Sequence, residues 1–291
     1  MSIRVEEFGT TKDGQKVKKY ILENGKGMKA AVLNLGAVLA ELHVPDKDGT
    51  LRDVVWGYED VAGYEVNGPD LGAVVGRNAN RIGGAVITIA GKDYTLVKNN
   101  GENNLHSGPD MYFTRMWKAI IADDNKVEFS LHSPDGDQGY PGNADITVSY
   151  TLTDGGELQI AYEGKADRDT IFNLTNHSYF NLDGQESDSV LEQKVWLDAD
   201  AFTRRSDSYR RDSGCDGNPY GFPDGAYDRR AYRCGLRASE AGRRLRPQLC
   251  AEERRKVRTV RKTHFPEEWY LHGGLHGSAG YPALFCQLSG E

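Results

Sequence analysis

The chain has no cysteine before Cys215, so neither disulfides nor thiolate metal centres can organise its first two thirds. No stretch approaches the ~20 consecutive apolar residues that a membrane-spanning helix needs. The N-terminus, MSIRVEEFGTTKDGQK, lacks the apolar core of a secretion signal, which makes a cytoplasmic location the expectation. A formal net charge of −7 offers nothing to a phosphate backbone and excludes nucleic acid as the expected partner. Up to residue 203 no segment keeps an apolar helical period over three turns, which argues against a helical domain. The four cysteines that do occur, Cys215, Cys234, Cys250 and Cys286, are 19, 16 and 36 residues apart. They contain no CxxC pair of the kind that builds zinc sites, and no metal is expected.

What is present reads as β-structure. Residues 28–44 form an apolar Val- and Leu-rich run, broken at Gly36 and closed by Pro45 to Gly49, the pattern of two strands and a turn. Ala85–Ile89 and Tyr94–Val97 flank a turn-forming tetrapeptide and predict a hairpin. Val127–Leu131 is a short apolar run before a Gly/Pro loop. Ile146, Val148, Tyr150 and Leu152 then alternate with Thr147, Ser149 and Thr151, the period of a half-buried strand. Leu158–Tyr162 alternates again, and Val190–Leu197 predicts one more strand. Strands following one another with no helices between them imply an antiparallel β-sandwich.

Three polar segments interrupt these strands. Gly76-Arg77-Asn78-Ala79-Asn80-Arg81-Ile82 places arginines in a glycine-led loop; taken alone, such an arginine is more often a solvated charge. Asn103-Asn104-Leu105-His106-Ser107-Gly108 sets a histidine in a polar loop, where a lone histidine is often incidental. Asn173-Leu174-Thr175-Asn176-His177-Ser178-Tyr179-Phe180-Asn181-Leu182 places His177 among amides and hydroxyls inside an aromatic stretch. That leaves a satisfied core histidine and a site histidine both open.

Together the segments resemble the aldose 1-epimerase (galactose mutarotase) family. GRNANRI (76–82), NNLHSG (103–108), DGDQGYPG (135–142) and NLTNHSYFNL (173–182) match its GRxANRI, NxLHGG, DGxxGYPG and NxTNHxYFNL motifs in order, and DVVWGYEDVAGYE (53–65) fits upstream. Ser107 is a small departure, standing where the family usually has Gly. The resemblance implies the large, all-β antiparallel sandwich of the mutarotases. It also implies interconversion of the α and β anomers of free hexoses such as glucose and galactose. His177 would be the general acid that protonates the ring oxygen, and Asn80, Arg81 and His106 would bind sugar hydroxyls. The acid's usual partner, a C-terminal Glu that takes the C1 hydroxyl proton, is absent from this chain, so the implied activity is impaired. No cofactor is implied, because the reaction moves only protons. A non-catalytic carbohydrate-binding protein and a hexose-6-phosphate epimerase of the same superfamily are the alternatives.

After Thr203 the usage of residues changes. Fifteen of the 21 arginines lie from Arg204 onward, and the charge balance moves from −13 over residues 1–203 (19 Lys and Arg against 32 Asp and Glu) to +6 over 204–291 (17 against 11). Neither strand alternation nor a capped helical period appears in the first part of this tail. Residues 1–203 therefore read as an incomplete mutarotase-like sandwich whose C-terminal third is missing or disordered, and 204–291 as an Arg- and Cys-rich, non-native-looking tail. Reading codons after about Thr203 from their second base, with permitted choices at the free positions, yields successive family-like segments, including a YDHN string whose Asp falls at Arg246. The tail thus reads as an out-of-frame continuation of the same gene. Resequencing the source DNA is expected to show an inserted or deleted base near codons 200–208; an early stop in the shifted frame ahead of the YDHN codons would refute this.

Overall fold

A computed structural model describes residues 1–187, 189, 190 and 193, together with the backbone of strands at 270–276 and 283–289. Five strands, β1 (Ser2–Thr10), β2 (Lys16–Glu23), β3 (Lys29–Leu33), β4 (Leu39–Pro45) and β5 (Leu51–Asp53), form an antiparallel meander in sequence order. The predicted break between β3 and β4 falls at Gly36, whose φ of +68° lies in the left-handed region; a Cβ there would sit 2.3 Å from the Phe113 carbonyl oxygen. Only glycine fits that approach.

A short helix follows, α1 (Val61–Val66), capped by Asp60, whose carboxylate accepts from the Gly63 N–H. Six residues are too few to show a helical period, so nothing in the sequence marks this helix. The chain then lays down short strands: β6 (Val74–Val75), β7 (Arg81–Ile82), the hairpin β8 (Val86–Ile89) and β9 (Lys92–Thr95), and β10 (Asn104–Leu105). That hairpin lies within a residue or two of the predicted one. A second meander, β11 (Lys118–Asp123), β12 (Lys126–Ser133), β13 (Ala144–Leu152) and β14 (Leu158–Ala166), completes the second sheet. β15 (Thr175–Asn176) ends the continuous stretch.

The two meanders share one core. Ile146, Val148, Tyr150 and Leu152, the alternating residues of β13, are buried with Leu22, Val32, Leu39 and Leu42 of the first sheet. Tyr20 meets Phe129 edge-on across the layers with centroids 5.4 Å apart, and the buried Tyr150 hydroxyl donates to the Ala37 carbonyl at 2.7 Å. Alternation therefore does what the sequence predicts: one face of each sheet turns inward. Among the described residues no helix is long and apolar enough to cross a membrane.

Most of the predicted strand at 190–197 and most of the tail 204–291 lie outside the described residues; Val190 and Gln193, which are described, are not in a strand. Within the tail, β16 (Tyr270–His276) and β17 (Ala283–Ser289) pair antiparallel from Tyr270–Ser289 to His276–Ala283, a hairpin the sequence reading did not anticipate.

One polar cluster ties the first sheet together. Glu41 of β4 accepts from Lys19 Nζ of β2 at 2.9 Å and lies 3.0 Å from His43 Nε2. The His43 hydrogen bond, aided by Lys19 and opposed by burial, holds the Glu41 carboxyl down to about 2, and the same contact raises His43. A depressed carboxyl contributes stability above its unfolded pKa and loses it as pH falls; the raised histidine contributes below its ordinary value and loses it as pH rises through the folded one. Glu41→Gln is therefore expected to flatten the loss of stability between pH 4.5 and about 2, read from urea midpoints across that range.

Candidate functional site

The segment from Ala73 to Ile82 is the spine of the site. Its first half, β6, pairs with β15, Val75 facing Thr175 and Val74 facing Asn176. Its second half, β7, pairs with β10, Arg81 facing Leu105 and Ile82 facing Asn104. Between them the backbone continues to bond outward: Ala79 N–H donates to Asn173 O at 2.7 Å, Asn173 N–H to Arg77 O at 2.9 Å, and His177 N–H to Ala73 O at 2.8 Å. One stretch of chain thus holds the loop of His106 on one side and the loop of His177 on the other.

The DGDQGYPG motif (135–142) is fastened through Arg77, whose side chain is buried with 1% exposure. Its Nη1 donates to the carbonyls of Pro141 and Gly142 at 2.8 and 3.1 Å and to Thr170 Oγ1 at 3.1 Å. Its Nη2 reaches Ser133 Oγ at 2.6 Å. Ser133 Oγ in turn donates to Asp137 Oδ2 at 2.6 Å, and Asp137 is held by both terminal nitrogens of Arg115. Burial pushes the Asp137 carboxyl up, but the hydrogen bonds from Arg115 and Ser133 outweigh it and keep it below the ordinary value. The buried guanidinium is thus compensated through a hydroxyl relay rather than by direct contact with a carboxylate.

His106 is fixed by reciprocal bonds. Its N–H donates to Asn80 O at 3.0 Å, and the Asn80 N–H donates to His106 Nδ1, also at 3.0 Å. A ring nitrogen that accepts from an amide carries no hydrogen, so neutral His106 bears its hydrogen on Nε2 and presents a donor. The rings of His106 and His177 lie edge to face with centroids 5.5 Å apart, and the Tyr179 ring centroid is 5.4 Å from that of His177. Arg81, next to Asn80, donates from Nε to Asn100 Oδ1 at 2.9 Å, in the loop that leads to His106. Of the residues singled out in the sequence, the structure directly joins His106 to Asn80 and to His177; Arg81 borders them through the β7–β10 pair.

One participant was not legible. Asp70, in the turn before β6, places Oδ2 4.0 Å from His106 Nε2, and one polar atom each of Asp70, His106 and His177 lie within 4.8 Å of one another. Nothing in NGPDLG marks that aspartate as different from any turn residue. Two histidines and a carboxylate are a familiar divalent-metal set, but a ligating histidine normally donates from its other ring nitrogen. Here that nitrogen of His106 accepts from Asn80, so a metal on Nε2 would leave the ring without a proton. The cluster is arranged for hydrogen bonds.

A family model described as Aldose 1-epimerase matches residues 18–224, well over half of the chain and past Thr203. The chain belongs to the aldose 1-epimerase family. It is 44% identical over 186 residues to the galactose mutarotase of Bos taurus, covering 64% of this chain and 54% of that one. It is 40% identical over 190 residues to the aldose 1-epimerase of Escherichia coli, covering 65% and 55%. A crystal structure of an aldose epimerase homologue from C. elegans superposes with a TM-score of 0.60 at 38% identity, covering 63% of this chain and 56% of that one. The galactose 1-epimerase of Lactobacillus acidophilus gives 0.57 at 30% identity, covering 62% and 54%. The described sheets therefore have the galactose mutarotase fold, and the chain spans a little over half the length of the curated relatives it matches.

Ser107, which replaces the usual glycine of this family, has a definite place. Its hydroxyl accepts from Asn78 N–H at 2.7 Å and donates to Asn78 O at 3.1 Å, while its φ of +71° keeps the backbone shape a glycine would have. Ser107→Gly loses the hydroxyl but relieves the backbone, whereas Ser107→Ala loses the hydroxyl and keeps the strain. In chemical denaturation Ser107→Ala is expected to cost about 2 kcal/mol and Ser107→Gly about 1 kcal/mol less than that.

Proposed function

We propose that this chain is an aldose 1-epimerase acting on free hexoses, with its catalysis impaired. The observation that carries the reading is the meeting of His106 and His177, from motifs some seventy residues apart, over one polar cluster. His177 delivers a proton to the ring oxygen of the pyranose. The C1 hydroxyl must lose its proton to a base on the other side; the C1–O5 bond then breaks and the open aldehyde re-closes on either face. His106 donates from Nε2 to a sugar hydroxyl, with Arg81 and Asn80 holding others as multidentate donors. Only protons move, so no cofactor or metal takes part. The partner is a small sugar rather than a nucleic acid or a membrane, and the compartment is the cytoplasm.

The impairment follows from the tail. Neither an ETQ nor a YDHN string occurs in these 291 residues, and these are the strings that would carry a base opposite His177 and a hydroxyl-binding aspartate. We read residues 204–291 as an out-of-frame continuation. The same absence favours, as a second reading, a protein that binds hexoses without turning them over.

Polarimetry of freshly dissolved α-D-glucose separates these. The 291-residue chain is expected to leave the rate at that of buffer while still binding glucose or galactose in ligand-observed NMR. A chain with its frame restored is expected to be active, and His177→Ala in that protein to lose ~10²–10⁴ in rate while folding normally. Clear catalysis by the 291-residue chain would show that the impairment is wrong, and binding of hexose 6-phosphates in preference to free hexoses would overturn the substrate.

A further inference from the structure

Asn-Gly is the step most open to spontaneous loss of a side-chain amide, because glycine has no Cβ to hinder its nitrogen from attacking the preceding side chain. It occurs three times in the sequence, at Asn24-Gly25, Asn67-Gly68 and Asn100-Gly101. The structure separates the three. Asn24 is buried, its Oδ1 accepting from the N–H groups of Lys26 and Met28, both at 3.0 Å, and its Nδ2 donating to Thr153 O at 2.9 Å. Asn67 is buried too: its Oδ1 accepts from Leu71 N–H at 2.8 Å and its Nδ2 donates to Leu71 O at 3.1 Å. Loss of either amide nitrogen would strip a backbone carbonyl of its donor.

Asn100 is held differently. It is partly exposed and opens a tight turn, closed by backbone N–H to carbonyl bonds in both directions between Asn100 and Asn103, each 3.1 Å. Gly101 follows at the exposed tip, with φ of +61° and open space where a Cβ would stand. Asn100 Oδ1 accepts from Arg81 Nε at 2.9 Å, while among the described residues Asn100 Nδ2 and the Gly101 N–H have no hydrogen-bond partner. The nucleophile and the leaving group are thus the two unheld atoms. The held atom is the oxygen that gains negative charge during the attack, and a guanidinium donating to it stabilises that charge.

We propose that Asn100 is a site of spontaneous deamidation, whose product places a carboxylate against Arg81. The Gly101 nitrogen bonds to Asn100 Cγ, the Cγ–Nδ2 bond breaks, and the amide leaves as ammonia, carrying the proton that the Gly101 N–H gives up. Water then opens the succinimide ring at either carbonyl, giving aspartate or isoaspartate. A neutral acceptor of Arg81 becomes an anion, and isoaspartate also adds a methylene to the main chain of the turn that leads into β10. The modification stands on the loop alone; its effect on ligand binding rests on the reading of Arg81 as a sugar-binding residue.

The test incubates the full chain in mildly alkaline buffer, where the attacking nitrogen is more readily deprotonated, and follows each Asn-Gly peptide by mass spectrometry. Conversion is expected at Asn100 well ahead of Asn24 and Asn67, and at comparable rates at all three in concentrated urea. An Asn100 that converts no faster than the other two in the folded chain would overturn the proposal. A preference that survives in urea would belong to the local sequence and would overturn it as well. Asn100→Asp, the direct product, is expected to weaken galactose about threefold in NMR titration, the scale of a part-exposed ion pair that offsets the charge of Arg81. Unchanged affinity would overturn the effect on the site. A wild-type chain that binds no galactose would remove the sugar-site reading, with the mass spectra still deciding the modification.

Discussion

A buried positive charge holds the sandwich to its candidate site. Arg77 cannot shed its charge, and its guanidinium lies beneath the surface where an unpaired ion costs several kcal/mol. Its hydrogen bonds to Pro141, Gly142, Thr170 and Ser133 spread that charge over the 135–142 loop and the approach to residue 173. Those partners cannot move without stranding it. Because Arg77 sits in the middle of the stretch that β6 and β7 bracket, whatever fixes Arg77 also fixes the residues that carry His106 and His177.

The site is built mostly from backbone. His106 is aimed by Asn80 N–H and O, His177 hangs from Ala73 O, and Ser107 folds its hydroxyl back onto both backbone groups of Asn78. The scaffold behind these side chains is made by short pairs such as β6–β15 and β7–β10. Those pairs are only two residues long and could not persist alone; they last because two stacked sheets hold their flanks.

This division of labour explains what could be read from the sequence. The sheets could: the period of two through Ile146, Val148, Tyr150 and Leu152 is a local signal of a buried face, and the structure buries those side chains. The run at 28–44 and the hairpin around Gly91 were visible for the same reason. The four motifs were visible as a resemblance, and they are the segments that converge. Asp70 could not be read, because what sets it apart is a distance to a residue thirty-six positions on, and its own neighbours spell an ordinary turn. Nor could the β6–β15 pairing, since two-residue strands have no period. Ser107 looked like a flaw in a motif until its hydroxyl was seen to replace, with two hydrogen bonds, the freedom that glycine would have given.

The bond from His177 N–H to Ala73 O spans about a hundred residues of chain, and it has a consequence in time as well as in space. Contacts between such distant segments form late in folding, after the local hairpins have closed. On a ribosome, His106 and its Asn80 brace can be ready early, but the cluster stays open until residues 173–181 emerge and pair with the waiting stretch at 73–79. From that moment the wall built by the four motifs is finished.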